Sequence, residues 1–132
     1  MSSRRVELFR RACDAFNRRD WDSFVALMND GVEVESRLAQ VEGGYTGQEG
    51  LRRWWDDVGE TMPDYRVEIL EVREYDDAIL ARVQGLGSGG AGGAPIVDPH
   101  WQVVRWQGRR LVGWRNCSTE AEALEALGRA SG

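Results

Sequence analysis

The chain contains no lysine; all 17 of its basic residues are arginine. That absence excludes Schiff-base chemistry, a pyridoxal-phosphate linkage and the lysine of a phosphate-binding P-loop. Histidine is almost as scarce, with His100 the sole example. Zinc sites built from several His and Cys ligands therefore lack donors. No carboxylate spacing suggests a different metal, so neither a metal nor a cofactor is expected. No run approaches ~20 apolar residues, the length a membrane-spanning helix needs. Met1-Ser2-Ser3-Arg4-Arg5 leads straight into an amphipathic pattern without an apolar signal segment. With only two cysteines, this points to free thiols in a reducing, cytoplasmic setting. The net charge is −5 and no basic cluster dominates, which makes nucleic acid a poor partner.

The chain does have 132 residues, of which 42% are hydrophobic. That is enough for one domain, residues 1–132, with a real core. Whatever catalysis it performs must use carboxylates, His100, amides, hydroxyls, aromatics or arginines.

Val6, Phe9, Cys13 and Phe16 recur at steps of three and four and mark one face of a first helix. The polar run Asn17 to Asp20 breaks it, and Asp20 is placed to cap a second helix. Trp21, Phe24, Leu27 and Met28 form the buried face of that helix, and Asp30-Gly31 ends it. Val32 to Ser36 reads as a short strand, and Arg37 to Gly44 as irregular chain or another short strand. Thr46 and Glu49 have the spacing of a capping box. Leu51, Trp54, Trp55, Val58 and Met62 follow at helical spacing until Pro63-Asp64.

Beyond Pro63 the period changes to two. Tyr65–Glu74 and Ala78–Leu86 read as strands joined at Asp76-Asp77, and Ile96–Trp106 and Arg110–Cys117 as a second pair joined at Gln107-Gly108. Thr119 and Glu122 form another capping box, opening a short helix that carries Ala121, Leu124 and Leu127 and stops at Gly128. The order implies an α+β fold: a curved antiparallel sheet forming a cone, three helices on its concave face, and a short C-terminal helix. A pocket would form between sheet and helices.

Three stretches carry a family resemblance. Phe16-Asn17-Arg18-Arg19-Asp20-Trp21 resembles an "N-x-x-D" helix break. Tyr45-Thr46-Gly47-Gln48-Glu49-Gly50-Leu51-Arg52-Arg53-Trp54 resembles a "Y-x-G-x-x-G-L-R-x-W/F" helix start, and Glu122-Ala123-Leu124-Glu125-Ala126-Leu127 an "EALEA" tag. Together they resemble the SnoaL-like branch of the nuclear-transport-factor-2-like superfamily, over nearly the whole chain. The resemblance is more specific for fold than for function, since the superfamily holds ketosteroid isomerases, polyketide cyclases, dehydratases, epoxide hydrolases and non-catalytic members. Compared with the ketosteroid isomerases, Glu35 falls at the carboxylate general base and Gln102 at a protonated aspartic acid that donates to the oxyanion. The tyrosine donor falls on Ala12, so half of that oxyanion hole is missing and steroid isomerisation is not expected.

The residues themselves leave alternatives. A period of two puts Glu33 and Glu35 on one face and Val32 and Val34 on the other. Valines in the core would leave both glutamates in solvent, whereas the resemblance turns Glu35 into the pocket, where apolar surroundings would raise its pKa. His100 and Gln102 share a face with Val104 and Trp106, apolar at one end and polar at the other. His100 could shuttle a proton or orient a carbonyl; it could equally be a strand-start histidine bonded to backbone or water. Tyr45, Trp55, Trp106, Trp114 and Asn116 are the candidate ligand-binding residues, with core packing the alternative for the tryptophans. Trp21 and Trp54 read as core. Asn116-Cys117-Ser118 matches the glycosylation triplet by chance, absent a secretory signal.

Gly85-Leu86-Gly87-Ser88-Gly89-Gly90 matches a dinucleotide fingerprint, but a strand follows it rather than a helix, so no helix N-terminus awaits a pyrophosphate. Residues 85–94 read instead as a hairpin loop at the mouth of the cone, a lid or a tolerated turn. The expectation is thus a pocket protein for a small hydrophobic carbonyl or hydroxyl compound. In one version it is a cofactor-independent acid/base enzyme of isomerase, cyclase or dehydratase type, with Glu35, His100 and Gln102 as its groups. In the other it is a non-catalytic ligand-binding or accessory domain. A homodimer would form through the outer sheet face, where Trp101 and Val103 lie.

Overall fold

The structure is a computed structural model that describes residues 4–35, 44–89 and 94–131. Helix α1, Arg4–Asn17, buries Leu8, Phe9, Ala12, Cys13, Ala15 and Phe16 along one face, as the three-and-four spacing demands. The break after it has a distinct cause. The Asn17 side chain both accepts from the Val67 amide (2.8 Å) and donates to the Val67 carbonyl (2.9 Å), taking the place of a strand residue. Arg19 adopts φ +56°, a left-handed turn. Its guanidinium donates to the carbonyls of Phe16 (2.8 Å), Pro63 (3.2 Å) and Tyr65 (2.6 Å). Asp20 then caps α2, Trp21–Val25, accepting from the Ser23 amide at 3.2 Å.

Helix α2 is shorter than the apolar spacing predicts. Met28, expected on it, instead opens strand β1, Met28–Glu35, whose first residues join the sheet when Leu111 donates to the Leu27 carbonyl (2.9 Å). Strand β2, Tyr45–Thr46, leads into α3, Gly47–Thr61, but Thr46 makes no side-chain capping bond there. The Thr46/Glu49 box is thus present as a pattern and unused. The box at the other end does form: Thr119 accepts from the Glu122 amide (3.1 Å), and Glu122 reaches back to the Ser118 amide (3.4 Å). It opens α4, Glu120–Ser131.

Strands β3 (Arg66–Glu74), β4 (Ala78–Gly89), β5 (Ala94–Gln107) and β6 (Arg110–Cys117) complete one curved, unclosed six-stranded sheet in the order β2-β1-β6-β5-β4-β3. Neighbours run antiparallel except β1 and β6, which pair in parallel. That pair is what joins the N-terminal strand to the hairpins, a connection no hairpin signal could reveal. Strands β4 and β5 pair continuously from Ala78–Arg105 to Gly89–Ala94, so most of the expected loop over residues 85–94 is ladder. Residues 90–93 lie outside the described residues, and with them the tip on which a lid would depend.

Helices α1, α2 and α3 pack on one face of the sheet around a core that includes Phe9, Phe16, Phe24, Met28, Val32, Leu51, Trp55, Ile79, Val83, Val104 and Leu111. Helix α4 lies on the other face. Its buried residues are Ala123, Ala126 and Leu127, over Ala78, Leu80, Val103 and Cys117, with Trp101 at the margin. Leu124 on the same helix is exposed. Val103, one reason for expecting a dimer through the outer face, is already 97% buried within one chain. No described helix is long and apolar enough to cross a membrane.

At the far end of the β4–β5 arm, Asp64 accepts from the Ser88 amide (3.0 Å to one oxygen) and from the Ser88 hydroxyl. These two bonds, the hydroxyl first, hold the Asp64 carboxyl below its ordinary range. A carboxyl depressed in the folded state stabilises it above the unfolded pKa of about 3.9 and loses that contribution as pH falls through the folded value. Urea unfolding at pH 5 and pH 3 should therefore show a larger acid loss for the parent chain than for Asp64→Asn. Equal losses would show that the bond contributes nothing to acid sensitivity.

Candidate functional site

Between the helices and the sheet lies a cavity with about 40 Å³ of unobstructed volume, inside about 640 Å³ of non-atom space that includes its mouth. The smaller figure is room for a few waters. Helix α1 contributes Cys13 and Phe16, α2 Phe24, and α3 Trp54 and Val58; Val34 enters from β1, and Tyr65 and Val67 from the start of β3. Strand β5 contributes Asp98, His100 and Gln102, and β6 contributes Trp114 and Asn116. Phe16 and Trp54 stack at 5.5 Å and Phe24 and Trp54 at 5.9 Å between centroids. One end is thus an aromatic wall and the other a polar strip.

The polar strip follows from the strand period: 98, 100 and 102 point the same way. His100 and Gln102 are each only 3% exposed. His100 Nδ1 lies 3.0 Å from the Asp98 carbonyl oxygen and 3.7 Å from an Asp98 carboxylate oxygen. His100 Nε2 lies 3.3 Å from Gln102 Nε2. Gln102 Oε1 accepts from the Trp114 indole at 2.9 Å. Among the described residues three polar atoms are buried without a hydrogen-bond partner: Trp54 Nε1 and Asn116 Oδ1, on residues that line the cavity, and Trp106 Nε1, on a residue that does not. Native interiors rarely leave such groups unmatched. Burial pushes the Cys13 thiol up to about 12, so it stays protonated and is a poor nucleophile.

The expected site residues divide. His100, Gln102, Trp114 and Asn116 line the cavity together. Glu35 does not: Val32 and Val34 take the core face of β1, and Glu35 is exposed on the opposite side, paired with Arg115 at 3.3 Å. A base position carried over from distant relatives fails here because β1 presents its valines inward. Tyr45 is buried, donating to Asp57 at 2.8 Å, and its phenol is pushed up to about 12 by burial and by that bond. Trp55 packs against Phe24 (4.9 Å) and Trp21 (5.2 Å), and Trp106 is buried in the core; none of the three lines the cavity. Trp54, read as core, does line it. Asp98 was legible as the next even position on β5; Cys13, Phe16, Phe24 and Tyr65 carried only a core signal. No group of three or more His, Cys, Asp or Glu able to hold a metal occurs among the described residues.

A curved open sheet with three helices over one face and a cavity between them defines a cone-shaped α+β pocket domain of the nuclear-transport-factor-2-like class. Within that class the chain belongs to the SnoaL-like family, whose domain model matches residues 9–114. Among solved structures it is similar to an NTF2-like protein of unknown function from Burkholderia pseudomallei, at 18% identity and a TM-score of 0.78, over 94% of this chain and 97% of that one. It is also similar to IdmH of Streptomyces antibioticus, a candidate polyketide cyclase, at 18% identity and 0.75, over 96% and 99%. A third similar structure is TerC co-crystallised with polyporic acid, at 14% identity and 0.79, over 96% and 99%. At these identities the likeness bears on the fold. No curated protein matches the chain in sequence.

Proposed function

We propose that the chain binds a small, flat, largely apolar compound bearing both hydroxyl and carbonyl oxygens in the cavity between sheet and helices. The observation that carries this reading is the pair of unmatched buried atoms on two residues that line the cavity. Trp54 Nε1 can only donate and Asn116 Oδ1 can only accept. A guest that brings an acceptor to the first and a hydroxyl to the second repairs both, with its apolar body against the wall of Phe16, Phe24 and Trp54, which must shift outward to admit it because the cavity has only about 40 Å³ of room. The polyporic acid in TerC and the cyclase assignment of IdmH are consistent with guests of this kind.

A second reading adds chemistry. His100 is a buried imidazole held at Nδ1 by Asp98, and it is the group in the cavity suited to taking a proton from carbon or oxygen near neutral pH. Glu35 plays no part in this version.

The test uses 6-hydroxy-1-tetralone, whose hydroxyl cannot bond to its own carbonyl, with 1-tetralone and naphthalene as controls. Thermal stabilisation should be largest for the hydroxy ketone, and Asn116→Leu should weaken it about 10-fold, the worth of one hydrogen bond to a buried group. Stabilisation that ignores the oxygens would remove the reading. Deuterium exchange at the carbon beside the carbonyl, followed by mass spectrometry with the parent and His100→Gln, separates catalysis from binding alone.

A further inference from the structure

We propose that a second proton on His100 and the hydrogen bond anchoring Trp114 are mutually exclusive, with Gln102 as the positioning residue that couples them. The argument needs only donor and acceptor chemistry. The Trp114 indole can only donate, and it lies 2.9 Å from Gln102 Oε1. That fixes which end of the amide is oxygen, an assignment otherwise ambiguous. The amide nitrogen must then face His100 Nε2, 3.3 Å away, and it too can only donate. His100 Nε2 therefore holds a lone pair. At the other side of the ring, the Asp98 carbonyl oxygen 3.0 Å from Nδ1 can only accept. The proton of the neutral ring sits on Nδ1, and both ends select the same tautomer.

A second proton would have to go on Nε2, where two donors would then face each other. The relief is a half-turn of the Gln102 amide. Its oxygen then accepts from the imidazolium, and its nitrogen opposes the indole, which loses its acceptor. Trp114 packs against Phe9 (5.6 Å) and Phe24 (6.1 Å) and forms part of the cavity wall. Protonating His100 thus loosens that wall. Among the described residues, the groups around His100 pull in opposite directions. The Asp98 carboxylate, on the same strand, favours the cation. Cys13 from α1 stays a neutral thiol, Tyr65 before β3 is a phenol, Asn116 on β6 and Trp54 on α3 are uncharged, and among the described residues no arginine lines the cavity. Gln102, held by Trp114, opposes it. This coupling does not depend on which ligand the cavity takes.

With one histidine in the chain, ¹⁵N-histidine labelling yields a single imidazole. At neutral pH its Nδ1 should give a protonated signal and its Nε2 a lone-pair signal. The Trp114 indole N–H, identified by its loss in Trp114→Phe, should shift with the same midpoint as the imidazole on acidification. In Trp114→Phe, which removes the donor and keeps an aromatic ring, His100 should accept its second proton at higher pH than in the parent. In Gln102→Leu the Trp114 signal should no longer follow His100. A neutral ring protonated at Nε2 overturns the proposal, and that readout stands even if acid unfolds the chain first. An indole signal indifferent to the His100 titration overturns it equally.

Discussion

Phe24→Ala is expected to lower stability by about 3–5 kcal/mol, the range for removing a fully buried phenylalanine. Phe24 is 0% exposed. Its ring lies 4.9 Å from Trp55, 5.9 Å from Trp54, 6.1 Å from Trp114 and 6.4 Å from both Phe16 and Trp21. With five aromatic neighbours already packed around it, the ring leaves them little freedom to collapse inward. The void also merges with the cavity, which would then lose part of its aromatic wall. At about 3–5 °C per kcal/mol for a domain of this size, the melting temperature should fall by roughly 10–20 °C. Urea unfolding and thermal melts check it; a loss below about 1 kcal/mol would mean the aromatic cluster is not packed as described.

Gly85→Ala should be the second most damaging change, for a reason invisible in the chain itself. A methyl group at Gly85 would stand 2.6 Å from the Tyr65 ring carbon that bears the hydroxyl and 2.7 Å from the adjacent ring carbon. Tyr65 is buried, and a rigid ring in a packed wall cannot step aside cheaply. Overpacking of this kind costs about 1–3 kcal/mol. The cost should be non-additive: Tyr65→Ala makes room, so the double variant should lose clearly less than the two single losses together. Were Gly85 simply a flexible loop residue, alanine would be neutral or stabilising by about 0.4–1 kcal/mol. The two expectations differ in sign. The glycine pair in this stretch is thus neither a phosphate cradle nor a hairpin tip; Gly85 is the seat of a tyrosine that lines the cavity.

Much of the architecture was legible. The stripe Phe9–Cys13–Phe16, the Asn17–Asp20 break, the two hairpins and the Thr119 cap correspond to elements whose local signals are strong. Element ends were less so. Met28 was assigned to α2 because its spacing suits a helix, yet the parallel pairing of β1 with β6 recruits it into the sheet. Thr46 and Glu49 show that a capping pattern can be present while the Thr46 side chain makes no capping bond. In the site, strand period put His100 on one face with Gln102, and Trp114 on one face with Asn116, without saying which face turned inward. Glu35 could not be placed, because its strand alternates between valine and glutamate and the alternation carries no label for inside.

Local order, in short-range patterns of apolar, polar and turn residues, was enough to set the succession of helices and strands and to divide each strand into two faces. Which face met the helices was decided by tertiary packing. The physical reason is that periodicity distinguishes two sides without ranking them, and here both sides of β5 are half apolar. One is covered by α1, α2 and α3, the other by α4 lying over Val103 and Leu80. The same holds for the polar groups: that His100 is read by Gln102, and Gln102 by Trp114, depends on β5 and β6 lying side by side, a contact between residues 12 positions apart that no local pattern encodes.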